Sequence, residues 1–214
     1  MTLLTEGAAH FGIELSQGHL DLIRIYLNEL WDWNQRMNLT GLSSRKRIAI
    51  ELFLDSLIPA PHLPKSGKML DAGSGAGFPG LPLKIVIPHL EMRLLESNGK
   101  KVSFLKHVIR LLKLSGVEAV KARIEKIRNT GAVEAYNIIT ARALAPLGRT
   151  VAWCGPLLQP GGFLVCFLGA DSQEAIEKAE DVLERHRLTF DKAIPYVLPG
   201  KKRERRALFL KKWA

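Results

Sequence analysis

Residues Met69-Leu70-Asp71-Ala72-Gly73-Ser74-Gly75-Ala76-Gly77-Phe78-Pro79-Gly80 decide how the chain is read. A short apolar run, Met69–Ala72, has the look of a buried strand. It carries an acid, Asp71, near its end and runs straight into three alternating glycines. Pro79 then stands where a helix would begin, since its fixed φ suits the first helical turn. Glycines between a strand and a helix let the backbone turn tightly and let a ligand touch the main chain. In open α/β sheets, ligands bind outside the carboxyl ends of the strands.

On the C-terminal side, short apolar runs alternate with helical periodicity. Strands are expected at 92–96, 117–121, 136–140 and 163–168, with helices at 79–87, 100–114, 147–158 and 172–187. This alternation predicts a parallel sheet covered by helices. The runs 188–196 and 206–211 are joined by too short a link for a parallel crossover, so they read as an antiparallel pair. The fold class is therefore α/β: a Rossmann-like, mostly parallel seven-stranded sheet ending in an antiparallel hairpin. On the N-terminal side the pattern is helical. Ser16 can N-cap a helix carrying Ile23, Leu27, Leu30 and Trp31, and a second helix starts near Ser44 with Ile48, Leu52 and Leu57 inward. Pro61, Pro64 and Gly67 separate the two patterns. Residues 1–66 are expected to form a helical cap and residues 67–214 the main domain.

The turn formally fits GxGxxG over residues 75–80, so a dinucleotide must be weighed. Asp71 argues against it, because an acid at the strand tip repels a pyrophosphate but suits the ammonium group of S-adenosylmethionine. Glu96 closes the second strand 25 residues later, where a carboxylate can accept both ribose hydroxyls of an adenosine. Glu96 is consistent with either cofactor.

The net charge is +10, which points to a polyanionic partner, most commonly nucleic acid. The excess is uneven. Residues 1–68 hold seven basic and seven acidic side chains, residues 69–150 hold thirteen and six, and seven basics crowd into Lys201–Lys212. Candidate RNA contacts are Lys100, Lys101, Arg123, Lys201, Lys202, Arg205 and Arg206. Cys154 and Cys166 form no CxxC pair and have no neighbouring His, so they read as buried apolar residues and no metal is expected. With no leader pattern and no apolar run near 20 residues, the expectation is a cytoplasmic chain that spans no membrane.

The 71–80 segment resembles the signature of the bacterial 16S rRNA guanine-N7 methyltransferases called RsmG, the glucose-inhibited division protein B family. Other segments agree in order: Trp33-Asn34 with Asn38-Leu39-Thr40, Asp55-Ser56-Leu57, Glu96-Ser97-Asn98 with Lys100-Lys101 and Phe104-Leu105, Arg123-Ile124-Glu125, Thr140-Ala141-Arg142-Ala143 and Leu198-Pro199-Gly200. The resemblance implies an S-adenosylmethionine site made by Asp71, Gly73, Gly75, Gly77 and Phe78, with Glu96, Ser97 and Asn98 on the ribose and adenosine and Ile124 and Glu125 beside the adenine. Arg142 is implied near the methyl-transfer side, as a positioning group. The implied partner is 16S rRNA or a small-subunit assembly intermediate, and a monomer is expected. The chain departs from the family pattern at Leu52 and Leu168, where His and Lys are usual, at Arg205-Arg206, where Arg-His is usual, and at Asn137, where Asp is common.

The chemistry agrees with the residue inventory. Guanine N7 has a lone pair and no proton, so alignment replaces general-base catalysis, and none of the motif loops contains His or Cys. An adenine-N6 enzyme would carry an Asn/Asp-Pro-Pro-aromatic stretch where Thr140–Ala143 stands. Alternatives are a methyltransferase of the same fold acting on another RNA or a small molecule, an NAD-dependent oxidoreductase, and a non-enzymatic RNA-binding protein. Asp71 and the intact glycine turn disfavour the last two.

Overall fold

The computed structural model describes residues 2–130, 135–169 and 172–213; Met1 and Ala214, which end the two expected segments, lie outside them. The strands are β1 (Gly67–Ala72), β2 (Leu90–Glu96), β3 (Val117–Lys121), β4 (Tyr136–Arg142), β5 (Leu158–Gly169), β6 (Leu188–Tyr196) and β7 (Arg205–Lys212). They form one sheet in the order β3-β2-β1-β4-β5-β7-β6. Strands β1 to β5 run parallel, and β7 pairs antiparallel with both β5 and β6. The strand order reverses between β1 and β4, which makes their carboxyl ends the switch point where α/β sheets bind ligands.

Side chains alternate across the sheet, so each strand feeds two cores. Met69, Leu94, Ile138, Val165 and Phe209 face one way, and Leu70, Leu95, Ile139, Leu164 and Leu208 face the other. The second face is covered by α7 (Leu147–Cys154), α8 (Ser172–Glu177) and α9 (Glu180–Arg185). The first is covered by α5 (Gly80–Val86), α6 (Gly99–Leu111) and the whole N-terminal segment: α1 (Thr2–His10), α2 (Gln17–Met37), α3 (Arg45–Ile48), a π-helical stretch Ala49–Leu54 and α4 (Asp55–Leu57). The buried apolar residues from Leu4 to Leu63 share one core with that face.

Local sequence explains the anchors of this layer. Ser16 caps α2 through His19 N at 3.2 Å, and the His19 ring accepts in return from Ser16 N. Asn38 ends the helix in the left-handed conformation, φ 47°, which Asn tolerates well. Asn34 is buried and organises the turn that follows, accepting from Thr40 N at 2.8 Å and donating to Leu42 O at 3.3 Å. This gives the Trp33-Asn34…Asn38-Leu39-Thr40 element a structural basis.

Several boundaries differ from the sequence reading. The helical reading of the N-terminal side gives no separate bounds before Ser16; helix α1 fills that stretch and buries Leu4, Gly7 and Ala8. The helix from Ser44 contains a π-helical stretch, a feature that tends to occur at functional sites. The expected helix 172–187 is interrupted at Ala179, whose N–H bonds Ile176 O in a tighter i→i−3 pattern. The helix at 147–158 stops at Cys154, and β5 starts at Leu158, since a bulge around Pro160-Gly161-Gly162 lets Tyr136 pair with Leu158 and Ile138 with Phe163. Cys154 and Cys166 are both free and buried, as expected, and burial pushes both thiols up, Cys166 to about 12. Among the described residues no helix is long and apolar enough to cross a membrane.

Candidate active site

The first half of the site lies at the tips of β1, β2 and β3 and is built mainly from backbone. Gly73 N and Ser74 N both donate to Leu95 O at 2.9 Å, which pins the glycine turn to β2. Gly73 has φ +74°, and a Cβ there would lie 2.8 Å from Leu144 Cδ1. A Cβ on Gly75 would meet nothing within 4 Å, so this is the open face of the turn. Glu96, 8% exposed, closes the floor beside it: Oε2 accepts from Gly75 N at 2.9 Å and Oε1 from Asn98 N at 2.7 Å. The Ser97 hydroxyl adds a longer bond to Oε1 at 3.4 Å; of the roughly four acceptor positions of a carboxylate, one remains for a ribose hydroxyl, and a second hydroxyl would have to displace Ser97. Ser97 and Asn98 are exposed alongside, and the Asn98 side-chain oxygen caps α6 through Lys100 N and Lys101 N. Ile124 is buried, while Glu125 is exposed and sits 3.7 Å from Arg123. An open glycine turn, a carboxylate at the strand tip and an apolar wall at successive strand tips fit the amino-acid, ribose and adenine parts of S-adenosylmethionine.

Three expected members of this half are turned inward. The Asp71 carboxylate is fully buried, taking the Thr140 hydroxyl at 2.8 Å and Gly80 N, the first residue of α5, at 3.0 Å. Burial raises its pKa to about 6, with the Thr140 and Gly80 hydrogen bonds opposing. Its place is under the turn, bracing β1, β4 and α5 together, so the direct ammonium contact expected from the sequence is replaced by an internal one. Gly77 is packed against Tyr26 and Leu81, leaving no room for a side chain. Phe78 is 4% exposed, stacked on Tyr26 at 5.3 Å and edge-on to Phe53 at 5.0 Å. Tyr26 also donates its hydroxyl to Ala76 O. The N-terminal layer thus holds the turn from below, and Gly77 and Phe78 are its anchors, not its ligand-facing lining.

The second half lies at the tips of β4, β5 and β7 and is built from side chains. A cavity of about 1070 Å³ opens there, walled by residues 40–42, by Glu51, Leu52 and Asp55, by Arg142 and Ala143, by 167–169, and by Tyr196 and 201–205. Its hub is Asp55, which has no exposed surface. Arg142 Nη1 reaches its Oδ2 at 3.1 Å, while Tyr196 OH at 2.8 Å and Arg205 Nη1 at 2.9 Å reach its Oδ1. Two guanidinium groups and a phenol compensate one buried carboxylate, as a charge removed from water requires. Arg142 also donates from Nη1 to Glu51 O at 3.2 Å, and its Cζ lies 5.8 Å from the Phe78 ring centroid. Ala143, immediately after it, has φ +51°, an uncommon conformation for a residue with a Cβ, and one that clusters at functional sites.

The structure therefore brings Arg142 and the glycine turn together at the switch point. It divides the expected RNA contacts. Lys100, Arg123, Lys201 and Lys202 are exposed and Lys101 is half-buried. Arg205 is committed inward to Asp55, and Arg206 to Glu204 at 2.9 Å and Ser172 Oγ at 3.2 Å, so these two read as structural cations, not free phosphate contacts. Sequence reasoning missed Tyr196, which no local pattern marks, and Glu51. The Arg47/Glu51 pair at i,i+4 spacing was a usable signal for the latter.

The geometry can be set beside known proteins. The sequence model of the family described as GidB, rRNA small subunit methyltransferase G, matches residues 19–209. The chain belongs to this family. Proteins named "Ribosomal RNA small subunit methyltransferase G" are 39% identical over 185 residues in Alkaliphilus oremlandii, covering 85% of this chain and 77% of that one, and 36% identical over 213 residues in Acetivibrio thermocellus, covering 99% and 88%. Among solved structures, a SAM-dependent methyltransferase from Aquifex aeolicus superposes with a TM-score of 0.60 at 16% identity, over 81% of this chain and 97% of that one. Aeropyrum pernix fibrillarin, solved with natively bound S-adenosyl-L-methionine, gives 0.56 at 16% identity over 69% and 68%. The fold is that of the Rossmann-like methyltransferases. The chain is an S-adenosylmethionine-dependent methyltransferase acting on small-subunit rRNA.

Proposed function

We propose that the acceptor atom is guanine N7 of 16S rRNA, that the base enters the cavity beside Arg142, and that residues 1–66 form the substrate-facing layer over the catalytic sheet. The observation that carries the reading is Arg142. It contacts Phe78, the anchor of the cofactor turn, on one side and lines the cationic cavity on the other.

S-adenosylmethionine supplies an electrophilic methyl group. The chain's part is to hold the acceptor in line with it, which is catalysis by proximity and orientation. Neither His nor Cys lines the cavity, and a nucleophile that loses no proton needs none. The Arg142 guanidinium is fixed by its Nη1, bonded to Asp55 and Glu51 O, and its remaining edge is directed to the acceptor base. Gly73, Gly75, Glu96, Ser97, Asn98, Ile124 and Glu125 hold the cofactor, with Asp71, Gly77 and Phe78 bracing the turn from inside. Lys100, Lys101, Arg123, Lys201 and Lys202 hold RNA backbone. The enzyme works as a cytoplasmic monomer on naked 16S rRNA or an assembling small subunit.

The test is mapping of N7-methylguanine in 16S rRNA from cells with and without the gene. One methylguanine should disappear on deletion and return with the wild-type gene but not with Arg142→Ala. An unchanged modification pattern would refute the acceptor assignment.

A further inference from the structure

The first 68 residues look electrically neutral in sequence, and the fold shows why that count misleads. In the segment around the cavity the acids are interior: side-chain exposure is 0% for Asp55 and 11% for Glu51. The three consecutive cations of α3, Arg45, Lys46 and Arg47, are all exposed. Across the Glu51 carboxylate from Arg47 lies a second exposed run, Lys201, Lys202 and Arg203, in the β6–β7 link that walls the cavity. The two runs are brought together by Glu51, whose Oε1 takes Arg47 Nε at 2.7 Å and Lys201 Nζ at 2.8 Å. The hydrogen bond from Arg47, with Lys201 adding to it, holds the Glu51 carboxyl down at about 2. Two cations from distant parts of the chain are thus set a few ångström apart around one anionic oxygen, at the mouth of the acceptor cavity. Arg45 adds an aromatic neighbour, lying over the half-buried Trp31 at 5.2 Å from the ring centroid.

We propose that α3 and the 201–203 link are the two jaws of an RNA-backbone clamp across the cavity mouth, and that Glu51 occupies the phosphate position between Arg47 and Lys201 when RNA is absent. A phosphate group offers the same anionic oxygen acceptor, and both cations are exposed enough to turn toward it. Arginine suits this role because its planar fork matches phosphate geometry. A carboxylate in the phosphate position keeps two like charges close together without their mutual repulsion and sets their spacing in advance. The clamp rests on the reading of the chain as an rRNA methyltransferase. It adds α3 to the RNA-facing surface and gives Glu51 a role as competitor.

The experiment measures binding of a fluorescein-labelled RNA stem–loop by anisotropy across a salt series. Each neutralised phosphate contact contributes about 0.7 to 0.9 to the slope of log K against log salt. Arg45→Gln with Lys46→Gln should lower affinity about tenfold at low salt and reduce the slope by about 1.5. Calorimetric S-adenosylmethionine binding should not change, and the melting temperature should fall only by the small contribution of the Arg45–Trp31 contact. Glu51→Gln should tighten RNA binding several-fold by freeing Arg47 and Lys201. Lys106→Gln with Arg110→Gln makes the same charge change on α6, beside β3 at the opposite edge of the sheet, and should leave the slope alone. An unchanged slope in the α3 variant, an equal loss in the α6 control, or weaker binding by Glu51→Gln would each overturn the clamp. If wild-type protein forms no N7-methylguanine in rRNA, it is the functional reading that fails.

Discussion

The two halves of the site are built by different means. At the tips of β1 to β3 the proposed cofactor side is made largely of main chain: a turn pinned by Leu95 O, an open Gly75, and a Glu96 carboxylate fixed by two backbone N–H groups. At the tips of β4 to β7 the proposed acceptor side is made of side chains gathered onto Asp55 from β4, β6 and β7. A backbone-built site depends on local conformation and suits a constant ligand. A site built from side chains of several segments depends on the whole fold being correct, and it is where a choice of substrate can be encoded. Arg142 and the Tyr26–Phe53–Phe78 cluster join the two.

If this division is right, the two halves fail in different ways. The largest effect is expected at the hub. Asp55→Ala leaves Arg142, Arg205 and Tyr196 without their shared acceptor, and breaking a buried charge cluster from one side costs about 3–5 kcal/mol. Urea unfolding should show that loss, with methyl transfer abolished. Asp55→Asn keeps the shape and one acceptor oxygen, so it should lose less stability while still lowering kcat more than it raises the cofactor KM. An equal loss of cofactor binding would mean the halves are not separable. The next effect is local. Gly73→Val places a β-branched residue at φ +74° against Leu144 and should weaken S-adenosylmethionine binding about 100-fold, or about 2.7 kcal/mol. Its melting temperature should fall less than that of Asp55→Ala. Calorimetry showing wild-type affinity would rule out Gly73 as part of the cofactor cradle.

The same division explains what the sequence makes legible. The proposed cofactor half lies in three short segments, 71–80, 96–98 and 123–125, each with a pattern of its own, so the strand-to-helix turn and the place of Glu96 at the tip of β2 were legible. The sheet and its terminal hairpin were readable from alternation and link length. What stayed hidden was which side of the turn each residue faces, because Asp71, Gly77 and Phe78 are turned inward by partners such as Tyr26 and Thr140, some fifty to seventy residues away. The hub is a product of tertiary structure: Asp55, Arg142, Tyr196 and Arg205 have no common spacing, and only the switch in strand order brings them together. Arg205 looked like one more cation of a basic loop, and only its buried partner shows otherwise.

Asp71 offers the finest test, because it lies on the cofactor side yet is held like a hub residue. Its folded-state pKa of about 6 is above its ordinary 3.8, so folding favours the protonated form. The stabilisation this group contributes is then fully present below about pH 4 and lost as pH rises through about 6, a change of roughly 2–3 kcal/mol. Asp71→Asn cannot titrate. It should be the less stable protein at low pH, because an amide NH2 cannot accept from Thr140 or Gly80 as either oxygen of a neutral carboxyl can, and the gap between wild type and variant should narrow as pH rises from 4 to 7. Chemical denaturation at several pH values measures that gap. A gap that widens with pH would mean Asp71 is held ionised by Thr140 and Gly80. The turn would then be braced by a buried charge, as the acceptor side is, and the contrast between the two halves would reduce to how many side chains share that charge.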